Sequence, residues 1–564
     1  MRIRSLFDRQ RTTMIATAFL VAAAMVVSAA ASAAEKRTQM VAMRDATRLA
    51  TDVYVPPDAK DPLPVILIRT PYGKNPLERM ATPAHQHGYV LVVQDMRGRF
   101  ESQGDDAVVF HNDGWAKRRD GHDTIDWIAG QSWCDGKVAT WGASAMGISQ
   151  NMLAPDAPAA LTAQNVAVAF SNMYTQAAYQ GGAFRKALVE GWLEGNRFGP
   201  KNLQTLLAHP TYDKLWSELN PEARADRVNA PGMFTGGWYD IFLQGTINSF
   251  QNIHTRGGPR ARGNCRLVIG PIAHGRFDEL KYPPSAEKKP PGASPYRFFD
   301  HFVRGIDNGA ENDKPVNYYV MGDPTDRDAP GNYWRSVERW PPPSKPTRAY
   351  LHADGGLRLK RPTGADEKLS YKYDPSNPVP TVGGQNLNMP KGPMDQRKIE
   401  SRSDVLLFTS DLLDKPLEVT GRLHAKLYVS SDCTDTDFTV KLTDVYPDGR
   451  SMLLTDGILR ARFRKSFERE SLIEPGEVYE LTVDLWCTSI VFNRGHKIRV
   501  AISSSNAPRF DPNPNTGHPL RADKETRVAT NTLHLSKQHP SHIVLPVPIH
   551  PTSATTTPCS LPGS

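Results

Sequence analysis

A serine, an aspartate and a histidine follow one another along the chain at positions that could support nucleophilic chemistry at a carbonyl carbon. Ser144 lies in the segment Trp141–Gly147, where small residues separate a strand-like stretch from a helix-compatible one. A sharp turn of this kind holds a serine hydroxyl exposed at the edge of a sheet. Asp240 and His274 each follow a later strand-like stretch. The spacing therefore predicts that three loops bring these side chains together.

Three side chains are needed because a serine hydroxyl is a poor nucleophile at neutral pH. An imidazole must accept its proton during attack and return it to the leaving group, and a carboxylate must orient that imidazole. The developing oxyanion needs hydrogen-bond donors, for which the sequence offers the backbone N–H of Ala145 and the hydroxyl of Tyr72. The order Ser, Asp, His is that of the α/β hydrolases, although Met146 stands where the usual G-x-S-x-G motif has its second glycine.

The elements that must position these residues are indicated by short apolar runs, which are typical of strands buried on both faces. The runs are Pro64–Arg69, Gly88–Val93, Lys137–Gly142, Gly232–Gly236 and Arg266–Gly270. Helix-like stretches alternate with them, at Asp123–Ala129 and Ala145–Leu153. Strands that alternate with helices predict a doubly wound α/β domain.

The chain changes character twice after residue 155. Residues 156–228 are rich in Ala, Leu and aromatic residues and show no clear strand, which predicts a helical cap insertion or, alternatively, two long connecting helices. From residue 319, apolar and polar residues alternate over many short segments, which predicts the antiparallel strands of a β-sandwich. The predicted boundaries are 35–155 and 229–318 for the α/β core, 156–228 for the cap, 319–550 for the β-sandwich and 551–564 for a flexible tail.

The N-terminus carries the pattern of an export signal. Four arginines precede the almost wholly apolar stretch Met14–Ala30, and residues 31–33 supply a small-x-small cleavage pattern. We expect residues 1–33 to be removed and the protein to reach a periplasm or the medium, with no stable membrane span afterwards. A retained N-terminal anchor is the alternative interpretation.

Composition excludes several classes of partner and cofactor. The 564-residue chain carries 68 Lys+Arg and 60 Asp+Glu without a basic run, which argues against a nucleic-acid partner. The 16 histidines are dispersed and no H-E-x-x-H motif occurs, so the sequence predicts no metal and no cofactor. Of five cysteines, Cys433 and Cys487 are the best candidates for a disulfide. Cys134 and Cys265 precede strands about 14 Å apart and are not expected to pair.

Several motifs occur together in an order that resembles one hydrolase family. They are Arg69-Thr-Pro-Tyr72, Gln94-Asp-Met-Arg-Gly98, Asp123-Thr-Ile-Asp-Trp-Ile128, the run from Gly136 to Ser144, Gly237-Trp-Tyr-Asp240, Gly270-Pro-Ile-Ala-His274 and Phe299-Asp-His-Phe302. The set resembles the X-Pro dipeptidyl-peptidase and cocaine-esterase-like serine hydrolases of the CocE/NonD type. The resemblance covers essentially the whole chain between the export signal and about residue 550.

The resemblance implies an α/β-hydrolase domain with a helical cap and a C-terminal all-β jelly roll of the galactose-binding-like type. By position, Ser144 is similar to the family's nucleophile, Asp240 to its acid and His274 to its base. Tyr72 resembles the tyrosine that shares the family's oxyanion hole with the N–H that Ala145 provides here.

The expected function is that of an exported serine hydrolase. It would cleave carboxylic ester or amide bonds of small molecules or short peptides through an acyl-enzyme. An X-Pro dipeptidyl peptidase is the alternative, and a non-catalytic carbohydrate-binding protein is a less favoured one. The resemblance also suggests a homo-oligomer.

Substrate recognition is where the sequence departs from the family. Relatives commonly carry a large residue directly after the nucleophile, where this chain has Ala145, so we expect a pocket wall of different shape. Relatives that cleave α-amino acid esters hold the substrate ammonium with carboxylates, partly at positions where Gly147 and Ile148 offer none. Carboxylates of the insertion are available at Glu190, Glu194 and Asp213. The aromatic candidates for the acyl pocket are Phe170, Tyr174, Trp192 and Trp238.

Overall fold

The computed structural model of the protein describes residues 35–549. The predicted export signal and the predicted tail lie outside these residues. The N-terminal part of the described chain contains one large sheet and one small hairpin. Their strands are β1 (Glu35–Ala42), β2 (Arg48–Val55), β3 (Leu63–Thr70), β4 (Val90–Asp95), β5 (Cys134–Ala143), β6 (Leu161–Ala167), β7 (Tyr179–Gln180), β8 (Ala183–Phe184), β9 (Gly232–Tyr239), β10 (Arg266–Ala273), β11 (Val316–Val320) and β12 (Tyr333–Val337).

Ten of these strands form the large sheet, in the order β1-β2-β4-β3-β5-β6-β9-β10-β11-β12, and β7 pairs with β8. Neighbouring strands from β4 to β11 run parallel, whereas β1, β2 and β12 pair antiparallel. The helices of this part are α1 (Ala81–Gln86), α2 (Asp120–Ala129), α3 (Ala145–Leu153), α4 (Lys186–Gly195), α5 (Lys201–Ala208), α6 (Lys214–Ser217), α7 (Leu243–Arg256) and α8 (Pro295–Phe302). The predicted doubly wound α/β domain is confirmed.

The central strands are apolar on both faces because helices cover both faces of the sheet. In β3, Leu67 belongs to a buried cluster that contains Ile125 of α2. The next residue, Ile68, belongs to a cluster on the opposite face that contains Phe299 of α8. Successive side chains of a strand point to opposite faces, so an uninterrupted apolar run is what a strand between two helical layers requires.

Two sequence expectations about the cap and the second domain are wrong in detail. The segment 156–228 was expected to lack a strand, but it contains β6, which lies in the middle of the sheet between β5 and β9. The cap helices α4, α5 and α6 are short, so two long connecting helices are not present either. The expected boundary at 319 falls inside β11, which belongs to the large sheet. Both boundaries were wrong because strand pairing depends on tertiary contacts, which the local residue pattern does not reveal.

The C-terminal domain is built of antiparallel strands, with one short helix, α9 (Arg397–Glu400). Its strands are β13 (Ser344–Leu351), β14 (Leu357–Arg358), β15 (Lys368–Tyr373), β16 (Leu406–Thr409), β17 (Leu417–Ser431), β18 (Asp437–Val445), β19 (Ser451–Arg460), β20 (Tyr479–Phe492), β21 (Lys497–Ser503), β22 (Ala529–His534) and β23 (His542–Pro548). One sheet has the order β14-β13-β23-β17-β22-β15 with β20 paired to β17, and the other has the order β16-β21-β18-β19. Apolar residues of both sheets share one core. The predicted all-β domain is therefore present.

The two domains are joined next to the strands that carry the candidate site. The backbone N–H of Met321, just after β11, donates to the carbonyl of Ser489 in β20 at 3.1 Å. Val491 of β20 donates back to the carbonyl of Met321 at 2.9 Å. The hydroxyl of Tyr239, at the end of β9, donates to the carbonyl of Leu453 in β19 at 2.9 Å. The all-β domain thus holds the ends of β9 and β11 directly.

The cysteines of the described residues are all free thiols. The predicted absence of a Cys134–Cys265 bridge agrees with this, because β5 and β10 are three strand positions apart. The suggested Cys433–Cys487 bridge is wrong. Cys487 lies opposite Arg422 in the β17–β20 ladder, whereas Cys433 follows the far end of β17. At about 3.4 Å per residue the two lie roughly 30 Å apart along the ladder, far beyond the reach of a disulfide.

Candidate active site

Ser144 occupies a strained turn between β5 and α3. Its φ is 58° and its ψ is −127°, a conformation that residues with a side chain rarely adopt. The turn is tight because two glycines permit close approach. A Cβ on Gly142 would lie 2.4 Å from Cβ of Met146, and a Cβ on Gly147 would lie 2.8 Å from the carbonyl oxygen of Ala167 in β6. This contact explains why the second glycine stands at position 147 rather than at position 146 of the G-x-S-x-G pattern, since residue 147 is the one that touches the neighbouring strand β6.

Asp240, His274 and Ser144 are connected in one hydrogen-bonded series. His274 Nε2 lies 2.9 Å from Oγ of Ser144, and its Nδ1 lies 2.6 Å from Oδ2 of Asp240. The other carboxylate oxygen of Asp240 accepts from the backbone N–H of Phe242 at 2.7 Å. Asp240 is fully buried, whereas the His274 side chain is 13% exposed. A buried carboxylate with both oxygens engaged fixes the ring of the histidine and its tautomer.

The ends of β9 and β10 are shaped to make this series possible. The register of the two strands shifts between Gly270 and Ala273, so β10 bulges before it delivers His274. The bulge presses against Gly237 of β9, where a Cβ would lie 2.2 Å from the carbonyl oxygen of Ile272. A bulge re-aims the side chain that follows it, and Gly237 provides the space for it.

Tyr72 and the N–H of Ala145 lie beside the serine hydroxyl. Tyr72 follows β3, and its backbone N–H donates to Oγ1 of Thr70 at 3.0 Å. Its hydroxyl oxygen accepts from Nε1 of Trp192 at 3.0 Å. Burial raises the pKa of Tyr72, against the opposing effect of contacts with Trp192, Ser144 and the Ala145 N–H. The phenol therefore keeps its proton at neutral pH, and that proton is left for donation.

A narrow apolar cavity of about 40 Å³ opens beside Ser144. Its walls come from the hydrolase core, the cap and the all-β domain, and the residues are Val109, Phe110, Ala145, Ile148, Phe170, Met173, Ala177, Ala178, Leu188, Val189, Trp192, Leu193, Leu206, Ile241, Phe242 and Leu387. Aromatic rings form one continuous wall. The Phe170 ring meets those of Phe110 and Phe242 edge to face at 5.8 and 5.4 Å, and the Phe242 ring lies 5.8 Å from that of His274.

Two of the four predicted pocket aromatics lie in this wall and two do not. Phe170 and Trp192 line the cavity. Tyr174 instead packs in the cap against the rings of Tyr179 and Trp216, and its hydroxyl donates to a backbone carbonyl. Trp238 donates to the carbonyl of Tyr319 at 2.7 Å, and its ring packs against those of Tyr318 and Trp340. Both are large side chains whose polar atom is satisfied in a core, which sequence alone does not distinguish from a pocket wall.

Three important lining residues were not anticipated. Phe242 follows the acid Asp240 by two positions. Its place just after the end of β9 is a sequence signal from which a position near the active site could have been predicted. Phe110 has a φ of 70° in a loop after β4, and nothing in its sequence context marks it. Leu387 comes from a loop of the all-β domain, where the backbones of Gly384 and Gly392 pair. Only the packing of the two domains brings Leu387 to the cavity.

The lining of the cavity contains no charged side chain. The insertion carboxylates considered for binding an ammonium group are placed elsewhere. Glu190 pairs with Lys186 and Arg521, Asp213 caps α6 and contacts His209, and Glu194 is not among the lining residues. Within residues 35–549 no group of three or more His, Cys, Asp or Glu side chains is arranged to hold a metal ion.

Comparison with known proteins assigns most of the chain to the hydrolase family that its motifs resemble. The model of the X-Pro dipeptidyl-peptidase (S15 family) matches residues 45–198 and 196–276, and that of the X-Pro dipeptidyl-peptidase C-terminal non-catalytic domain matches residues 308–544. Cocaine esterase of Rhodococcus sp. (strain MB1 Bresler) is 34% identical, over 90% of this chain and 97% of that protein. The chain belongs to the S15 family, with the cocaine-esterase-like CocE/NonD hydrolases.

Solved structures share this fold over nearly the whole length of the chain. An α-amino acid ester hydrolase labelled with selenomethionine superposes with a TM-score of 0.76 at 25% identity, covering 94% of this chain and 98% of that one. An aminopeptidase from a marine sediment archaeon, Thaumarchaeota archaeon, gives a TM-score of 0.78 at 23% identity over 96% and 99% of the two chains. This S15 protein is accordingly a serine ester hydrolase with an α/β-hydrolase domain, a helical cap and a C-terminal all-β domain.

Proposed function

We propose that the protein hydrolyses esters of uncharged, apolar carboxylic acids through an acyl-enzyme on Ser144. The observation that carries this proposal is His274, whose two ring nitrogens lie 2.9 Å from the Ser144 hydroxyl and 2.6 Å from the Asp240 carboxylate. This is the geometry in which an imidazole accepts the serine proton as the new bond forms.

The reaction proceeds in two halves. Oγ of Ser144 attacks the carbonyl carbon, its proton passes to Nε2 of His274, and the tetrahedral oxyanion receives hydrogen bonds from Tyr72 and from the N–H of Ala145. Collapse expels the alcohol, which takes the proton from His274. Water then attacks the acyl-enzyme with His274 again as base, and Ser144 is regenerated.

The lining of the cavity supports the choice of acyl group. Its walls are aliphatic and aromatic, and no described carboxylate lies there to pair with an ammonium. A buried charge without a partner is strongly unfavourable. A free α-amino group in the acyl position is therefore disfavoured, which argues against the release of N-terminal dipeptides. A purely carbohydrate-binding role is disfavoured too, because it would leave the connected series of Ser144, His274 and Asp240 without a purpose.

The test is active-site labelling combined with a substrate comparison. A fluorophosphonate probe should label the wild type at Ser144 and not label Ser144→Ala, while Ser217→Ala, which removes an exposed serine of the cap, should label normally. p-Nitrophenyl butyrate should be hydrolysed and Gly-Pro-p-nitroanilide should not. An unlabelled, folded wild type would refute the acyl-enzyme, and cleavage of the anilide in preference to the ester would favour the dipeptidyl peptidase.

We also propose that the protein is exported, on the strength of the N-terminal sequence pattern. No helix within residues 35–549 is both long and apolar enough to cross a bilayer. Expression of the full chain in a Gram-negative host, followed by fractionation and N-terminal sequencing, should give a mature protein in the periplasm that begins close to residue 34. Retention of the uncleaved chain in the membrane fraction would instead identify an anchor. Size-exclusion chromatography of the mature protein tests the suggested homo-oligomer.

A further inference from the structure

A buried arginine lies where the cap, the hydrolase core and the all-β domain meet. Arg185 stands between β8 and α4 and is 1% exposed. Its guanidinium carbon lies 5.6 Å from the centre of the Trp486 ring of β20. Nη1 donates to the backbone carbonyls of Gln176 in the cap and of Ile241 after β9, the latter at 3.1 Å. No described residue accepts from Nε or Nη2, so this cation has backbone partners and no carboxylate.

An arginine in this state is unfavourable for the folded protein. A buried charge that is not paired with an opposite charge loses its hydration without a matching gain. Five other buried arginines are each hydrogen-bonded to a carboxylate, in the pairs Arg69–Asp113, Arg97–Asp120, Arg460–Asp437, Arg462–Asp435 and Arg509–Asp456. Burial lowers the pKa of Arg185 to about 9, which still leaves its guanidinium charged at neutral pH. The position of this charge therefore needs a reason other than stability.

Three charged groups act on Arg185, and one of them is the acid of the catalytic series. Asp456 of β19 attracts the guanidinium, and Arg509, which follows β21, repels it. These two groups form an ion pair, with Nη1 of Arg509 at 2.7 and 2.9 Å from the carboxylate oxygens of Asp456, so their effects largely cancel. The fully buried Asp240 remains. Arg185 thus offsets the charge of Asp240 while the His274 ring is neutral.

The hydrogen bond from Arg185 also reaches the turn that anchors the acid. Ile241 stands between Asp240 and Phe242, and the N–H of Phe242 donates to Oδ1 of Asp240 at 2.7 Å. A guanidinium that holds the Ile241 carbonyl therefore restrains the backbone in which this bond is made. Its other acceptor lies in the cap directly before Ala177, which lines the acyl cavity. Arg185 thus bridges the acid's turn and a wall of the pocket.

We propose that Arg185 is a positioning residue for the reaction, which holds the turn of the acid in place and supplies the counter-charge of the buried Asp240 carboxylate. The inference rests on the proposed function, because it concerns the same chemistry at Ser144. The cation offsets the carboxylate before the proton moves, and the bond to Ile241 keeps the carboxylate aligned with Nδ1 of His274. During attack the imidazolium takes over as the partner of the carboxylate.

Three substitutions of Arg185 separate its charge from its hydrogen bonds. Arg185→Met removes both, Arg185→Gln keeps an amide donor without the charge, and Arg185→Lys keeps the charge without the planar fork. Arg185→Met should lower kcat for p-nitrophenyl butyrate at least about tenfold, because small displacements of catalytic groups are costly. KM should change less than about threefold, since Arg185 does not line the acyl cavity. Active-site titration with the fluorophosphonate corrects kcat for the fraction of folded protein.

The pH dependence of kcat/KM reports on the charge specifically. Activity falls on the acid side as His274 becomes protonated and can no longer accept the Ser144 proton. Loss of a nearby cation favours that protonation, so the acid limb should move to higher pH by at least about half a unit in Arg185→Met and Arg185→Gln. It should stay in place in Arg185→Lys. The groups that hydrogen-bond to the imidazole, Ser144 and Asp240, are the same in all three variants.

Arg266→Met is the matched control. Arg266 is also buried, donates to two backbone carbonyls and has a pKa lowered by burial. It begins β10, however, roughly 23 Å along that strand from Ala273. The control should lose stability without a change in kcat per titrated site or in the acid limb. If Arg185→Met does not fold, the acid limbs of Arg185→Gln and Arg185→Lys decide between the outcomes.

The proposal is overturned if Arg185→Gln leaves the acid limb where the wild type has it, or if a folded Arg185→Met keeps the wild-type kcat. It is also overturned if Arg266→Met or Arg185→Lys moves the limb as far as Arg185→Gln does, since the effect would then not come from the charge at this place. A wild type that neither labels at Ser144 nor hydrolyses the ester would refute the proposed function itself. An active wild type with unaffected Arg185 variants would refute only this inference.

Discussion

Replacement of Tyr72 by phenylalanine tests the assignment of the oxyanion site most directly. The substitution removes one oxygen and keeps the ring. In the wild type that oxygen accepts from the Trp192 indole N–H at 3.0 Å, so the single phenolic proton remains available to a ligand of the site. Burial raises the pKa of Tyr72, which keeps that proton in place across the working pH range.

The expected loss follows from the number of donors. Tyr72 and the N–H of Ala145 are the two groups placed to donate to the oxyanion, and removing one such donor typically lowers kcat by about 10²–10³. KM should change little, because the hydrogen bond to the oxyanion forms only as charge develops. The Trp192 N–H also loses its acceptor, which should reduce the free energy of unfolding by about 1–3 kcal/mol.

Steady-state and burst kinetics with p-nitrophenyl butyrate measure these effects. Trp192→Phe is the matched control, since it removes the indole donor and leaves the phenol intact, and it should reduce kcat less than about tenfold. The reasoning is refuted if Tyr72→Phe keeps kcat within about threefold of the wild type. It is also refuted if Trp192→Phe loses as much activity, because the hydroxyl would then act only through its packing.

Three further substitutions test other parts of the structure. Leu387→Ala should widen the acyl cavity and shift the preference in kcat/KM among p-nitrophenyl esters toward longer acyl chains. The gain should be about fourfold for each added methylene that becomes buried. An unchanged dependence of kcat/KM on chain length would show that the all-β domain does not shape the pocket. Gly147→Ala should reduce both the melting temperature and kcat, because the new Cβ would lie 2.8 Å from a backbone oxygen of β6. Gly195→Ala is the control: no atom lies within 4 Å of its Cβ position, so the melting temperature and kcat should stay unchanged. Burial lowers the pKa of Lys441 from 10.5 to about 8, so the folded state is penalised below pH 8 and the penalty disappears as pH rises to 10.5. Lys441→Met should therefore be more stable than wild type by up to about 3 kcal/mol at pH 7, with the difference vanishing near pH 10.5 in denaturant titrations; a difference that does not change with pH would contradict this account.

Much of the hydrolase domain could be predicted from the sequence because its signals are local. The apolar run around Leu67 marks a strand covered on both faces, and the residues that follow β5, β9 and β10 bear the types that acyl-transfer chemistry needs. Order, spacing and the family resemblance together predict that Ser144, Asp240 and His274 act as one group, and the structure brings them into hydrogen-bonding distance. The physical reason is that parallel strands deliver the residues at their carboxyl ends to one edge of the sheet.

What could not be predicted depends on contacts between distant segments. The residue pattern of β6 does not distinguish it from the cap that follows, and only its pairing between β5 and β9 defines it as a strand of the large sheet. Tyr174 and Trp238 were expected in the pocket, yet both satisfy their polar atoms inside cores. Leu387 reaches the acyl cavity from another domain. None of these outcomes has a signature within a window of neighbouring residues.

The contribution of Leu387 has a consequence for the way this protein is made. The nucleophile, the acid, the base and the oxyanion donors are all complete once the chain has been synthesised to His274. One part of the acyl-pocket wall, Leu387, is added only when the later domain has folded and docked. During synthesis, or after a cut between the domains, reactive chemistry would exist without its full selectivity. Docking of the all-β domain therefore completes the acyl pocket after the residues that carry the chemistry have been synthesised.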